Sequence, residues 1–217
     1  MDKTIIALGL MSGTSMDGID ASLIKSDGEG YIDLIGNLYL KYDSELKNSL
    51  HNFCNKINSL KNIKENETEY ESLERKITIE HSRIALTLSN KFNIKPNIIG
   101  FHGQTILHKP SEKYSIQMGN AKLLSQLLKN NIIYQFRKKD INNGGEGAPL
   151  TPIFHHTLRK KLNLKEPIIF LNIGGISNFT YINNNCLVAK DIGPGNCLMD
   201  NYTKTKIKTD YSIPFFN

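Results

Sequence analysis

Cysteine is scarce in this sequence, with three among 217 residues. Cys54, Cys186 and Cys197 are odd in number and show no C-x-x-C spacing. This pattern suggests neither a disulfide framework nor a zinc site. Unpaired thiols fit a reducing compartment, so we expect a cytoplasmic protein.

Long apolar runs are absent as well. No stretch approaches the roughly 20 apolar residues that span a bilayer, so the sequence excludes a spanning helix, and we expect neither a secretory signal nor a membrane partner. Apolar residues make up 39% and charged residues 22% of the chain. These fractions exclude a disordered or collagen-like protein.

Arginine is rare even though the chain carries a formal charge of +6. The basic residues are mostly lysines scattered along the chain, and no basic stripe interleaved with aromatic residues occurs. Binding of nucleic acid depends on such a stripe. A nucleic-acid-binding module is therefore the weakest functional interpretation, and we expect no nucleic acid partner.

Hydrophobic patterning predicts an α/β protein with three antiparallel strands at one side of a mixed sheet. A strand-turn-strand pattern opens the chain and recurs over 167–182, which predicts two domains, 1–135 and 136–217. The elements expected in the first part are strands over 4–11, 19–25 and 31–42, helices over 43–57 and 68–92, a strand over 97–101, a helix over 120–129 and a strand over 131–136.

A small polar turn, residues 12–18, joins the first two expected strands. Its glycines let backbone N–H groups approach an anion, its hydroxyls can donate hydrogen bonds, and Asp17 can hold a metal or a metal-bound water. No G-x-x-x-x-G-K-[ST] motif occurs, so this is not a Walker loop. An ordinary turn favours the same residues and is an equal alternative.

Polar residues follow the strand expected at 97–101. Since the carboxyl ends of strands line the ligand crevice in open α/β sheets, His102 and Gln104 are candidates for binding a polar substrate. Arg137 and Asp140 precede a glycine-rich loop, residues 142–149. That segment could position an anionic substrate, act as a hinge, or be a solvated linker.

Asp191 lies at an expected strand end, before a Gly-Pro-Gly turn. A carboxylate held there can remove a proton from a nucleophile beside a phosphoryl donor. The alternative is a structural acid that caps the following helix.

Together these motifs are similar to those of the anhydro-N-acetylmuramic acid kinase family. The segments that carry the resemblance are GLMSGTSMDGID, FHGQTILHKP, IQMGN, GGEGAPLTP, NIGGISN and DIGPGNCLMD. The resemblance implies an actin/hexokinase-like fold of two ribonuclease-H-like domains, the first complete and the second incomplete. It also implies a reaction of cell-wall sugar recycling, in which ATP and Mg²⁺ phosphorylate the sugar O6 while water opens the anhydro bridge.

The resemblance also implies roles for individual residues. Asp191 would be the catalytic base, and Asp17 would hold Mg²⁺, directly or through water. His102, Gln104, Arg137 and Asp140 would lie around the amino sugar. The residues implied in ATP binding are Gly13, Thr14, Ser15, Met16, Asp17, Gly18, Ile19, Asp20, Gly174 and Gly175.

Two features depart from the family pattern. The family usually has Asp-Phe-Arg where this chain has Gln135-Phe136-Arg137, and it continues well beyond the position that matches Asn217. The main alternative to a kinase is therefore an inactive truncated paralogue or fragment that acts at most as a sugar-binding protein. An incomplete second domain would expose apolar sheet area, so a homodimer is also expected.

Overall fold

The computed structural model describes residues 4–184 and 186–206. The chain divides into two compact units, with the division between Gly147 and Ala148. Each unit has its own β-sheet and its own helices, which confirms the predicted α/β class. None of the helices within the described ranges is long and apolar enough to cross a membrane.

The first unit is built on a six-stranded mixed sheet. Its strands are β1 (Ile5–Ser12), β2 (Gly18–Ser26), β3 (Ile32–Lys41), β4 (Ile98–Lys109), β5 (Tyr114–Met118) and β6 (Ile132–Tyr134). The order is β3-β2-β1-β4-β5, and β6 also pairs with β4. β4 is parallel to β1 and β6, and the other pairs are antiparallel.

Helices connect these strands and cover the sheet. They are α1 (Ser44–Lys56), α2 (Leu60–Glu65), α3 (Glu67–Phe92), α4 (Ala121–Leu128) and α5 (Phe136–Asn142), with a 3-10 turn at Pro110–Glu112. The Asp43 side chain accepts a hydrogen bond from the Leu46 N–H at 2.7 Å and so begins α1. α3 packs against β1, β2, β3 and β4. The largest fully buried side chains of the resulting core are Leu8, Ile19, Leu23, Leu50, Phe53, Ile77, Ile84, Leu88, Ile99, Met118 and Leu124.

The structure differs from the sequence prediction around β4 and α5. The strand predicted to end at Phe101 continues to Lys109, because β5 pairs with its second half from Gln104 opposite Met118 to Lys109 opposite Tyr114. His102 and Gln104 therefore lie within β4 rather than after it. A short helix, α5, follows β6 and belongs to the first unit, so the structural division lies beyond the domain boundary expected after residue 135.

The second unit contains a three-stranded antiparallel sheet. Its elements are α6 (Pro152–Lys161), β7 (Ile168–Ile173), β8 (Ile176–Asn183), β9 (Cys186–Pro194) and α7 (Cys197–Lys206). α6 lies against β8 and β9. The His155 ring stacks on Phe170 at 4.8 Å, and its Nδ1 lies 2.8 Å from the Thr180 hydroxyl.

One face of this second sheet is exposed. The side chains of a strand alternate between the two faces, and on β7 the residues that alternate with Phe170 are Ile169, Leu171 and Ile173, which are 61%, 57% and 56% exposed. Thr180 and Ile182 are the buried side chains among the described residues of this unit. α6 thus covers one face, and the apolar residues of the opposite face remain accessible.

Candidate active site

A tight turn connects β1 to β2 and contains the residues expected to bind phosphate. The Met16 N–H donates to the Gly13 carbonyl at 3.1 Å, and Met16 adopts a left-handed conformation with φ of 54°. The Ser15 hydroxyl donates to Asp17 Oδ1 at 2.6 Å. Thr14 and Ser15 are exposed at the tip. The turn therefore presents a hydroxyl-rich tip to solvent on a backbone closed by its own hydrogen bond.

Glycine is required where this turn enters β2. A Cβ atom at Gly18 would overlap the Leu40 carbonyl oxygen and would lie 2.6 Å from the ring of Tyr39. Gly18 lies opposite Lys41 in the β2–β3 pair, and the Tyr42 N–H donates to the Asp17 carbonyl at 2.9 Å. The end of β3 thus packs directly on the base of the turn.

Two carboxylates lie on this turn and the start of β2. Asp20 is accessible to solvent, yet desolvation by the surrounding protein, and to a smaller extent the Asp17 carboxylate, raise its pKa. Desolvation and both carboxylates raise the pKa of Tyr39 to about 12. These couplings show that Asp17, Asp20 and Tyr39 share one electrostatic environment, with negative charge concentrated beside the turn.

This donor set fits Mg²⁺ that arrives with a nucleotide. Mg²⁺ is commonly held by one or two carboxylates together with phosphate oxygens and water, and Asp17 and Asp20 supply two carboxylates. Within residues 4–184 and 186–206 no group of three or more His, Cys, Asp or Glu side chains could hold a metal ion by itself.

Gln104 ties this turn to β4. Its Oε1 accepts from the Ser12 hydroxyl at 2.6 Å, and its Nε2 donates to the Gly13 carbonyl at 3.0 Å and to the Thr105 carbonyl at 3.1 Å. The side chain is fully buried. Its amide group is thus engaged within the protein, behind the turn.

His102 is buried on β4, and its hydrogen bonds define its tautomer. Nδ1 lies 2.8 Å from the Gly103 carbonyl and must donate, so Nε2 carries the lone pair that accepts from Arg137 Nε at 3.1 Å. Desolvation lowers the pKa of His102, and the Arg137 charge lowers it further. His102 is therefore a neutral imidazole that orients an arginine.

Arg137 and Asp140 both hold the glycine-rich loop. Arg137 Nη1 donates to the Gly147 carbonyl at 2.6 Å, and the Gly147 N–H donates to Asp140 Oδ2 at 2.7 Å. A side chain at Gly145 would overlap the Asp140 carboxylate. The structure thus brings His102, Arg137 and Asp140 into one network that fixes this loop against α5 and β4.

In the second unit, the turn Gly174-Gly175 packs against the Gly-Pro-Gly segment. The Gly195 N–H donates to the Gly175 carbonyl at 2.9 Å, and the Asn196 N–H donates to the Gly174 carbonyl at 2.7 Å. A Cβ atom at Gly195 would overlap the Gly174 carbonyl oxygen. The sequence-predicted residues Gly174 and Gly175 are therefore fixed to the loop that follows Asp191.

Asp191 is exposed and lies within β9, opposite Asn178 of β8 and next to a register shift. It does not begin α7, because the Asn196 carbonyl accepts the first helical hydrogen bond, from Asp200 at 2.8 Å. An exposed carboxylate at this position is available to a bound molecule.

Three residues that the sequence interpretation did not select contribute to these arrangements. Tyr42 donates its hydroxyl to Ser12 Oγ at 3.1 Å, and burial raises the pKa of Tyr42, so the phenol stays protonated. His81 of α3 is fully buried and contacts Phe101 edge-on at 5.0 Å. Ser12, the last residue of β1 and the first of the polar turn expected at 12–18, was not assigned a role of its own.

Comparison with known proteins agrees with these motifs. The sequence profile of the family described as anhydro-N-acetylmuramic acid kinase matches residues 5–213. A protein of that name from Pelagibacter ubique is 47% identical over 214 residues, which are 97% of this chain and 57% of the relative.

More distant relatives carry the same name. The Rhizobium etli protein is 38% identical over 216 residues, covering 97% of this chain and 58% of the relative. The Brucella canis protein is 38% identical over 202 residues, covering 90% of this chain and 54% of the relative. The chain thus spans little more than half the length of these relatives.

Proposed function

The chain belongs to the anhydro-N-acetylmuramic acid kinase family, and we propose that it acts as an ATP-dependent amino-sugar kinase in cell-wall sugar recycling. Water adds to the anomeric carbon of anhydro-N-acetylmuramic acid, and the bond from that carbon to O6 breaks. The freed O6 takes the γ-phosphoryl group of ATP. The products are N-acetylmuramic acid 6-phosphate and ADP.

One observation carries the proposal. Gln104 of β4 is hydrogen-bonded to Ser12 and to Gly13, so the turn with phosphate-binding character is joined to the strand that bears His102. Phosphoryl transfer depends mainly on holding the donor and the acceptor in a fixed geometry. β4 supports both the turn proposed to bind the donor phosphates and His102, which is proposed to bind the acceptor sugar. This arrangement favours a fixed geometry of donor and acceptor.

On the nucleotide side, the exposed turn tip and the second glycine turn would contact the phosphates. Asp17 would hold Mg²⁺, directly or through water, beside Asp20. When bound, Mg²⁺ neutralises the charge that develops on the phosphate oxygens. The residues proposed for this side are Gly13, Thr14, Ser15, Met16, Asp17, Gly18, Ile19, Asp20, Gly174 and Gly175.

On the sugar side, we propose the network of His102, Arg137 and Asp140, and Gln104 on the same strand as His102 joins this side to the turn at residues 12–18. The neutral His102 keeps the Arg137 guanidinium oriented, and a guanidinium suits the carboxylate of a muramic acid. Asp191 would take the proton of the attacking water. Its exposed carboxylate is available for that role.

We infer that the two units correspond to the ribonuclease-H-like domains of an actin/hexokinase-like fold. The first unit, with its three-stranded meander, parallel β4 and covering helices, supports a complete first domain. The second unit has a meander with one exposed face, which supports an incomplete second domain. The proposed domains are 1–135 and 136–217, whereas the structural division comes after Gly147. The difference is that α5 belongs to the first structural unit but to the second proposed domain.

The test of the proposal is product formation. The chain is incubated with anhydro-N-acetylmuramic acid, Mg²⁺ and ATP, and the products are identified by mass spectrometry. We expect the sugar 6-phosphate, with one oxygen from labelled water at the anomeric carbon. ADP formation that does not depend on the sugar would contradict the proposal.

A non-catalytic sugar-binding protein is the second candidate. It is favoured by the position of His102, Arg137 and Asp140, which form a complete network within the first unit, whereas Asp191 lies in the second. Calorimetry separates the two candidates. Sugar binding without any turnover would support the second one.

We also propose that a second copy of the chain covers the exposed face of β7, giving a homodimer. Three alternating apolar residues of one strand form a continuous stripe there, and such stripes favour association. Leu171→Lys should shift the sedimentation coefficient to that of a monomer. Leu34→Lys, at an equally exposed leucine of the first unit, is the control, and an identical result for both variants would overturn this interface.

A cytoplasmic location is proposed on two grounds. The reaction consumes ATP, and Cys54, Cys186 and Cys197 are free thiols.

A further inference from the structure

Three distant segments of the first unit meet at one buried hydroxyl. Ser12 Oγ lies 2.6 Å from Gln104 Oε1, 2.9 Å from the Gly18 carbonyl oxygen and 3.1 Å from the Tyr42 hydroxyl. Ser12, Gln104 and Tyr42 are all buried. We call these three side chains the Ser12 cluster.

The donors and acceptors of the cluster define its hydrogen bonds. A hydroxyl has one proton, and the Ser12 hydroxyl accepts from Tyr42, so it can donate to either Gln104 or Gly18 at one time. The shorter distance, to Gln104, favours that bond. Gln104 then has no free N–H, because both amide hydrogens are directed to the carbonyls of Gly13 and Thr105.

The contacts of the cluster surround the turn at residues 12–18, which is proposed to bind the nucleotide phosphates. Ser12 and Gly13 lie at its beginning, Gly18 lies at its end, and Tyr42 N–H holds the Asp17 carbonyl. The exposed tip at Thr14 and Ser15 is therefore held from behind by groups that do not themselves reach solvent. Preorganised groups of this kind reduce the ordering cost of ligand binding.

We propose that Gln104 is a positioning residue for the nucleotide phosphates and acts through the Ser12 hydroxyl and the Gly13 carbonyl rather than by contact with the sugar. This proposal rests on the proposed kinase function. Gln104 lies on β4, the strand that carries the proposed sugar residue His102. The proposed effect of Gln104 is nevertheless on nucleotide binding. The effect requires the amide hydrogen that Gln104 donates to the Gly13 carbonyl and the amide oxygen that accepts from the Ser12 hydroxyl.

The test uses Gln104→Met in the full chain, because methionine keeps the length and removes every hydrogen bond of the amide. Gln117→Met is the matched control: Gln117 lies on neighbouring β5 and donates to Thr105 and Ser115 side chains, without contacting the turn. We expect Gln104→Met to weaken Mg²⁺–ATP binding at least about tenfold by calorimetry. Affinity for the anhydro sugar should stay within about twofold in both variants.

Two substitutions of Ser12 test the other partner of the Ser12–Gln104 hydrogen bond. Ser12→Ala removes the hydroxyl and should weaken nucleotide binding, whereas Ser12→Thr retains a hydroxyl and should restore most of it. In Gln104→Met, a fall in kcat with an unchanged KM for ATP would contradict the proposal, because a residue that positions the phosphate-binding turn should affect ATP binding. Loss of sugar affinity with normal nucleotide affinity would show that Gln104 is a sugar ligand and would overturn the proposal.

Hydrogen exchange provides a readout that needs no ligand. The amides of residues 13–18 should exchange faster in Gln104→Met than in the parent chain, and those in Gln117→Met should not. If the parent chain binds no nucleotide, the kinase function fails, and the exchange result still decides whether Gln104 holds the turn. Unchanged exchange at residues 13–18 would refute the positioning role in either case.

Discussion

The two units contain similar apolar strands but bury them to different extents. In β1, Leu8 and Leu10 are almost completely buried, whereas Leu171 of β7 is 57% exposed. The first sheet is covered by α3 and its neighbouring helices, while in the second unit α6 covers the face that includes Phe170. An apolar strand thus becomes a core strand only where a second layer covers it.

The largest predicted effect lies in the less buried unit. Asp191→Asn should lower turnover by about two to four orders of magnitude, because a positioned base contributes roughly that much. The amide keeps the shape of the side chain, so sugar and nucleotide affinities should change little. Turnover per active site, measured alongside a thermal melt, is the test.

The exposed position of Asp191 makes this experiment selective. Since Asp191 is accessible and does not begin α7, its replacement should leave the unfolding transition in place. Asp200→Asn, at an exposed acid of the following helix, is the control and should retain turnover. Near-normal turnover of a well-folded Asp191→Asn protein would remove Asp191 from the proposed mechanism.

The next prediction tests the difference in burial directly. Leu50→Ala in the first unit should lower the free energy of unfolding by about 2 to 5 kcal/mol, because Leu50 is completely buried and leaves a cavity. Leu171→Ala in the second unit should change it by less than about 0.5 kcal/mol in the monomer. Urea unfolding followed by circular dichroism measures both. Equal losses would show that β7 is covered in solution.

A pH effect should arise from a fully buried histidine of the first unit. Burial lowers the pKa of His81 to about 4 from its ordinary 6.5, and the nearby His102 contributes to the same direction. The unfolded chain therefore binds more protons between pH 4 and 6.5, so stability should fall as the pH falls through this window. The loss attributable to His81 is about 3 kcal/mol by pH 4.

His81→Gln should flatten this slope. The slope is compared rather than the stability at one pH, because the substitution also alters the contact with Phe101. His108→Gln, at an exposed histidine of β4, is the control and should keep the slope of the parent. An unchanged slope in His81→Gln would assign the acid sensitivity to other groups.

The smallest effect concerns two acids in the turns on either side of β2. Asp17→Ala should weaken Mg²⁺–nucleotide binding by about tenfold, or 1.4 kcal/mol, through loss of one carboxylate. Asp27→Ala should leave nucleotide affinity unchanged. Asp27 accepts hydrogen bonds from the N–H groups of Glu29, Gly30 and Tyr31, which lower its pKa and give it a structural role. Equal nucleotide affinity in both variants would refute the proposed Mg²⁺-holding role of Asp17.

Sequence patterning was sufficient for elements whose apolar residues recur regularly. The strands β1 to β3 and the long helix α3 have such patterns and occur close to the predicted positions. β5 was not predicted, because Tyr114–Met118 is short and half polar and is stabilised by its pairing with β4. α5 was missed because Ile141 is its only buried residue and gives no helical period.

The candidate site was predictable in part for a similar reason. The glycine turn and His102 stand out in the sequence because unusual residues occur together there. The Ser12 cluster does not, since it joins residues of three separate segments and one of its members, Tyr42, resembles any aromatic residue at a strand end. The loop bonds of Arg137 and Asp140 likewise depend on α5, which the sequence did not reveal.

The pairing of β1 with β4 has a consequence for how the protein folds. The hydrogen bond from Ser12 to Gln104 joins residues 92 positions apart, and the helices α1, α2 and α3 lie between them. Contacts of such long range form slowly, because the chain entropy of the intervening loop is lost before the contact is gained. The helices can form early, but the turn at residues 12–18 reaches its final geometry only when β4 joins β1. A newly synthesised chain should therefore acquire helical structure well before residues 12–18 are fixed between β1 and β2.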